Sequence, residues 1–275
     1  MTQPNLVSII IPCYNNDTCV VETLTSVLEQ TYKAIEVILV DDGSRDNSVA
    51  VAENYLSQQK DLNYKIIQQE NQGPSKARNH GVTQANGSYL FFIDADDRIH
   101  PDAIRQYEAV LESDATLNIV YSETEFFGAQ EGIFVLNEFK LPQFLHNNCI
   151  PISAMVRKEI FNAVGGFDEN LRYQEDWELW IKIVKNYGGV YKIPTTLFYY
   201  RKRFDKSSLT DTREDHSVEE TSRLYIYTKH FDFYKQYQLD IPRVFQFVDE
   251  SERLRKKYYG IWYKKLFYSL VKRKN

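Results

Sequence analysis

An apolar run from Tyr89 to Ile93 leads directly into Asp94, Asp96 and Asp97, three carboxylates within four positions. Like charges this close repel unless a cation or hydrogen-bond donors compensate them, and hard oxygen ligands of this kind suit Mg²⁺ or Mn²⁺. Such ions keep several waters and are often completed by substrate phosphates, so two carboxylates plus a diphosphate would form a coordination shell. A second acidic pair, Asp41 and Asp42, closes the apolar run "IEVILV" in the same way. The plain alternative for either loop is a solvated turn, since Asp, Gly and Ser are ordinary turn residues. Spacing excludes an EF-hand, which needs glycine and glutamate where Ile99 and Arg105 stand. The first apolar run opens into "PCYNND", without the glycines of a dinucleotide fingerprint.

Elements that could place these acids together alternate along the first hundred residues. "LVSIIIP" reads as a strand buried on both faces, followed by a helix that Asp17 would cap and whose Val20, Leu24, Val27 and Leu28 share one side. "IEVILV" is a second strand, a helix follows over 47–56, and "YKIIQQ" is a third strand. Pro74 opens a third helix in "GPSKARNHGVTQA", and "SYLFFI" is the fourth strand. This succession predicts right-handed crossovers and a parallel sheet, with every acid at a carboxyl strand end, where ligands bind in open α/β sheets.

The 275 residues, 43% of them hydrophobic, suffice for a large core. The sequence shows neither a basic leader nor an apolar run long enough to span a membrane, and its three cysteines form no CxxC pair; a soluble cytoplasmic protein with reduced thiols is the expectation. From Arg253 onward there are nine Lys or Arg and no acid, leaving 24 basic against 38 acidic side chains before it. The acidic body argues against nucleic acid as a partner. The basic, aromatic tail over 253–275 suits an anionic membrane surface, with packing on the domain or on a partner subunit, including a homo-oligomer, as the alternative.

Six segments taken together resemble the inverting family 2 glycosyltransferases of GT-A fold: "VSIIIPCYNN", "VILVDDGSRDNS", "NQGPSKARNHG", "YLFFIDADDRIHPDAI", "GGFDENLRYQEDWELWIKI" and "YYRKRFDKSSLT", in the family's order over Val7 to Thr210. The resemblance implies an α/β fold with a Rossmann-like nucleotide-binding half and a mixed central sheet flanked by helices. It divides the chain into a GT-A domain over 1–210, with a donor half at 1–99 and an acceptor half at 100–210, then a helical extension at 211–275.

It also implies roles. Pro12, Tyr14 and Asp41 would border the base of a UDP-linked nucleotide-sugar, Arg78 would reach base or phosphate, Asp94 would lie by ribose and metal, and Asp96 would bind Mn²⁺ or Mg²⁺. Inverting transfer needs a base opposite the leaving diphosphate, and Asp176 matches it, with Glu175 and Trp177 toward the acceptor. Glu175 and Asp176 also read as an acidic first helical turn. Where the family often carries a metal-binding histidine this chain has Arg203, which cannot ligate a cation but, with Arg201, can pair with phosphate. The reading is therefore a metal-dependent hexosyltransferase acting on a glycan or lipid-linked acceptor in surface polysaccharide or glycolipid synthesis, peripheral to the membrane through its tail. Two rival readings stand beside it: a catalytically inactive sugar-nucleotide-binding relative, and a haloacid-dehalogenase-like phosphotransferase. The latter needs Thr or Val where Arg98 stands, and a nucleophilic Asp nearer the start of the chain than Asp94.

Overall fold

A computed structural model describes residues 5–60, 62–204, 216–240 and 253. The first elements are β1 (Val7–Cys13), α1 (Val20–Leu28), β2 (Ile35–Asp41), α2 (Ser48–Ser57), β3 (Asn63–Gln68), α3 (Pro74–Thr83) and β4 (Tyr89–Phe92). There follow β5 (Arg98–Ile99), α4 (Ala103–Ser113), β6 (Ile119–Gly128), β7 (Gly132–Phe134), α5 (Leu141–Phe144), β8 (Met155–Arg157), α6 (Lys158–Ala163), α7 (Glu175–Asn186), β9 (Val190–Lys202), α8 (His216–Lys229) and α9 (Phe231–Gln236). The chain separates into two compact units, one ending at Leu224 and the other beginning at Tyr225. In the second, Tyr227 packs edge-on against Phe231 and Tyr234. The tail from 254 on, and with it the expected membrane contact, lies outside the described residues, as do 205–215 of the loop after β9.

The described strands form one mixed sheet in the order β3-β2-β1-β4-β8-β6-β9-β5, with β7 paired to β6. β1 pairs in parallel with β2 and β4, and β2 with β3, so the three crossovers expected from the apolar runs are present. Val7, Ile9, Ile10 and Ile11 are fully buried, as a strand covered on both faces requires. β8 then joins β4 and β6 antiparallel. β6 and β9 pair in parallel, but their register shifts between Ser122 and Thr124, where Ile193 and Thr196 are successive partners and Pro194 drops out of the ladder. A proline has no N–H to contribute there, and the bulge accommodates it.

Two sets of contacts fix the loops that border the site. Asp17 does not cap α1: the cap residue is Cys19, the Asn16 carbonyl accepts the N–H groups of Cys19 and Val20 (3.0 and 2.9 Å), and the Asp17 N–H donates to Asp46 Oδ2 at 3.1 Å. The loop between β1 and α1 is thus tied to the loop after β2 rather than closed on itself. Asp42, 4% exposed, accepts from Gln69 Nε2, Gln72 N and Gly73 N, each at 2.8 Å. With Gly73 at φ 92, this sets the entry of α3. Asp42→Asn would turn one acceptor into a donor facing a backbone N–H. The variant should lose about 1–3 kcal/mol of unfolding free energy in a denaturant titration.

Candidate active site

The site is assembled by one face of α3. Ser75, Arg78 and Asn79 lie three and four positions apart, so they project to the same side. Ser75 Oγ donates to the Leu171 carbonyl (3.0 Å). Asn79 Nδ2 donates to the Phe167 carbonyl (3.0 Å), and Asn79 Oδ1 accepts from Phe167 N (2.9 Å). A Cβ at Gly166 would stand 2.7 Å from Asn79 Oδ1, so only glycine lets the segment lie this close, and its φ of 67 suits no other residue well. Gln174, left-handed at φ 60, then turns the chain into α7.

Between these anchors sits Arg78, 3% exposed. Its Nη2 donates to Asp94 Oδ1 at 2.6 Å and its Nη1 to Glu175 Oε1 at 2.7 Å. Burial works against the guanidinium charge, but the two carboxylates more than offset it and hold the group protonated. The guanidinium expected on a base or phosphate is therefore engaged inside the protein, bridging the end of β4 to the first turn of α7.

Asp176 is held on another side of the same turn. Its Oδ1 accepts the Trp177 N–H (2.7 Å) and its Oδ2 accepts from Asn148 Nδ2 (3.0 Å). Burial pushes the Asp176 carboxyl up to about 7, with the Glu175 charge adding to the rise, while the Trp177 N–H and Arg78 pull it down. Sequence patterning does not single out Asn148, since an amide in the loop "HNNC" carries no periodic signal. Its Oδ1 accepts Ile150 N–H at 3.0 Å, which leaves Nδ2 turned to the carboxylate. The loop is stitched to α7 by Trp177 Nε1 on the Phe144 carbonyl (2.9 Å) and Trp180 Nε1 on the Ile150 carbonyl (3.1 Å). Trp177, expected toward the acceptor, is 2% exposed and taken up by packing, with the Arg223 guanidinium carbon 5.4 Å from the centre of its ring.

On the acidic rim, Asp96 Oδ2 accepts from Arg203 Nε (2.8 Å), and Nη2 of the same guanidinium stands 2.7 Å from that oxygen. Nη2 also bonds Asn16 Oδ1. Burial pushes the Asp96 carboxyl up, Arg203 pulls it down, and Asp94 adds to the rise. Asp97 is buried and raised well above its usual range, mainly by desolvation. One of its oxygens accepts the Arg201 N–H (2.8 Å), and Oδ2 has no partner. Arg201 donates through Nε to the Asp96 carbonyl (2.6 Å) and through Nη2 to Glu22, so its side chain braces the rim from within instead of offering a free fork to phosphate. At the carboxyl ends of β1 and β2, Asp41 is 3% exposed and accepts Ser44 N on both oxygens (3.3 and 3.2 Å), Pro12 lies inside β1, and Tyr14 is 43% exposed just beyond it.

A divalent ion fits the donor set here. Asp94 Oδ1 and Asp96 Oδ2 are engaged by arginines, and the second oxygen of each carboxylate is a hard ligand on the rim. Among the described residues no three acidic, His or Cys side chains gather to hold an ion by themselves, so phosphate and water would complete the shell.

The model of the family described as "Glycosyl transferase family 2" matches residues 8–165. The chain belongs to that family. Relatives include glycosyltransferase GlyG of Streptococcus pneumoniae, 30% identical over 223 residues that cover 72% of this chain and 71% of GlyG. An uncharacterized glycosyltransferase of Rickettsia conorii is 32% identical over 198 residues, covering 68% of this chain, which spans only 32% of that relative's length. Among solved structures, S. aureus TarS in complex with UDP aligns with TM-score 0.61 and 20% identity over 88% of this chain and 78% of its own. A mannosyltransferase of Pyrobaculum calidifontis in complex with GDP-Man and Mn²⁺ aligns with TM-score 0.60 and 21% identity over 72% and 57%. The chain is thus a glycosyltransferase of GT-A fold, and no helix among the described residues is long and apolar enough to cross a membrane.

Arg78→Met keeps volume and removes the charge shared by two carboxylates. Unfolding free energy should fall by about 3 kcal/mol, the low end for a broken buried pair because 35% of the Asp94 side chain is exposed. Chemical denaturation measures it.

Proposed function

We propose that this family 2 glycosyltransferase moves a hexose, with inversion, from a UDP-sugar to a hydroxyl of a glycan or lipid-linked acceptor in surface polysaccharide or glycolipid synthesis. The observation that carries the reading is Arg78, which sets the acid rim after β4 beside the first turn of α7. The donor would bind over 1–99, with Pro12, Tyr14 and Asp41 at the base and Asp94 toward the ribose, and the acceptor over 100–210. UDP in TarS and GDP-Man with Mn²⁺ in the Pyrobaculum enzyme support a nucleotide-linked donor.

Asp176 acts as general base. It takes the proton of the acceptor hydroxyl as that oxygen forms a bond to the anomeric carbon, and the sugar–phosphate C–O bond breaks with its electron pair leaving on the diphosphate. An ionisation near 7 suits a general base, because the carboxylate is available at neutral pH yet basic enough to accept the proton. Asn148 positions Oδ2, and Glu175, held by Arg78, fixes the turn. Asp94 and Asp96 would hold Mn²⁺ or Mg²⁺, which when bound would offset negative charge on the leaving diphosphate. Arg203 stands close enough to the rim to pair with phosphate oxygens. A membrane-surface location through 253–275 belongs to the same proposal.

Asp176→Asn should lower transfer by about 10² to 10⁴ with donor affinity nearly unchanged, measured by product formation and by calorimetry. In the parent enzyme transfer should rise with pH through about 7 as Asp176 loses its proton. Asn148→Ala should cost roughly ten- to a hundredfold in turnover by releasing the carboxylate from its reactive orientation. UDP affinity that does not depend on Mn²⁺ or Mg²⁺ would remove the metal from the reading, and near-normal turnover of Asp176→Asn would move the base to Glu175.

A further inference from the structure

We infer that Arg203 is a positioning residue that holds Asp96 as an internal counter-cation and hands the carboxylate over when a divalent cation arrives with the nucleotide diphosphate. The inference rests on the reading of Asp94 and Asp96 as the cation site. Arg203 Nε donates to Asp96 Oδ2 at 2.8 Å, Nη2 of the same guanidinium stands 2.7 Å from that oxygen, and Nη2 donates to Asn16 Oδ1. Both partners are largely enclosed, with side-chain exposures of 21% and 17%, so the pair is only weakly screened. A guanidinium on one oxygen of that carboxylate and a divalent cation on the other stand close enough for their charges to repel, and an arginine has no lone pair to offer a metal, so each weakens the hold of the other.

The backbone supplies a fixed point for the exchange. Arg201, two residues earlier, is pinned by its N–H on Asp97, its Nε on the Asp96 carbonyl and its Nη2 on Glu22. Arg203 lies one residue beyond the last residue of β9, Lys202, outside the strand pairing. Rotation about the bonds after Lys202 and within the Arg203 side chain therefore moves the Arg203 fork without disturbing the sheet. Phosphate oxygens are the natural second partner for a planar fork leaving a carboxylate. Nucleotide that draws Arg203 away frees Asp96 for the cation, and by reciprocity the cation that displaces Arg203 makes it available to the nucleotide. Cation and nucleotide then bind with strong mutual dependence, and the cation alone binds weakly.

Mn²⁺ binding to the full chain, followed by the electron paramagnetic resonance signal of free Mn²⁺ with and without UDP, tests this apart from turnover. The parent should bind Mn²⁺ weakly alone and much more tightly with UDP. Arg203→Ala and Arg203→Gln, the latter retaining hydrogen-bonding capacity without charge, should each tighten Mn²⁺ alone by about tenfold and reduce the UDP-dependent gain correspondingly. Thermal unfolding of each variant verifies the fold. If both folded variants match the parent for Mn²⁺ alone while UDP still strengthens Mn²⁺ binding, the hand-over is overturned and the cation site stands. If no protein binds Mn²⁺ under either condition, the cation site fails and the hand-over fails with it.

Discussion

Arg78 places one positive charge between two carboxylates that arrive from distant parts of the chain, Asp94 at the end of β4 and Glu175 at the start of α7. A buried guanidinium with one partner missing would carry a large desolvation penalty, so its geometry is enforced from both sides. The rest of the site inherits that constraint. Adjacent residues in the first turn of a helix point about 100° apart, so fixing Glu175 on Arg78 also fixes where Asp176 can point. The Ser75 and Asn79 contacts and the close approach of Gly166 hold the intervening loop on α3, giving Arg78 a second anchor besides its own ion pairs.

The crowding of acids is resolved by a different means at each position. Asp94 takes half of Arg78, and Asp96 takes Arg203. Asp97 is driven toward its neutral form by complete burial and keeps only the Arg201 N–H. Asp41 and Asp42 are satisfied mostly by backbone N–H groups of loops they themselves fold. Of the five, Asp94 and Asp96 alone owe their compensation to side-chain cations rather than to the backbone or to protonation, Asp94 to the buried Arg78 and Asp96 to Arg203 beyond the end of β9. Asp96 is the position where a ligand can compete, because a cation beyond the strand end can move away at less cost than a buried guanidinium held by two carboxylates.

The first four strands were legible mainly because a parallel strand buried on both faces appears as a near-continuous apolar run, as "LVSIIIP", "IEVILV" and "SYLFFI" do. The elements that escaped depend on partners far away in sequence. Nothing local in Met155–Arg157 says that three residues will bridge β4 and β6, and the pairing of β5 with β9 joins residues about a hundred apart. The α1 cap failed for a related reason: Asp17 has the right chemistry, but its backbone is claimed by Asp46. The same limit governs the site. The charged side chains at 78, 201 and 203 are identifiable as cations from the sequence, yet the choice each makes between protein carboxylate and phosphate is decided by three-dimensional proximity. Trp177 and Asn148 show both directions of the effect, one a conspicuous aromatic absorbed into packing, the other an inconspicuous amide placed on the proposed base.

The two arginines at the rim divide the work of one charge into anchoring and exchange. Arg201 satisfies backbone and side-chain acceptors at once and would leave Asp97 and the Asp96 carbonyl unpaired if it moved. The Arg203 fork meets the side-chain oxygens of Asp96 and Asn16, each of which can also be satisfied by water or an ion. A histidine in its place could bind a cation directly, whereas an arginine can only compete with the cation or accompany the phosphate that the cation binds. On the proposed reading, substituting one for the other would change the logic of assembly: a ligand contributed by the protein would become a counter-ion released by the substrate, and the affinity of the site for metal would become conditional on the nucleotide.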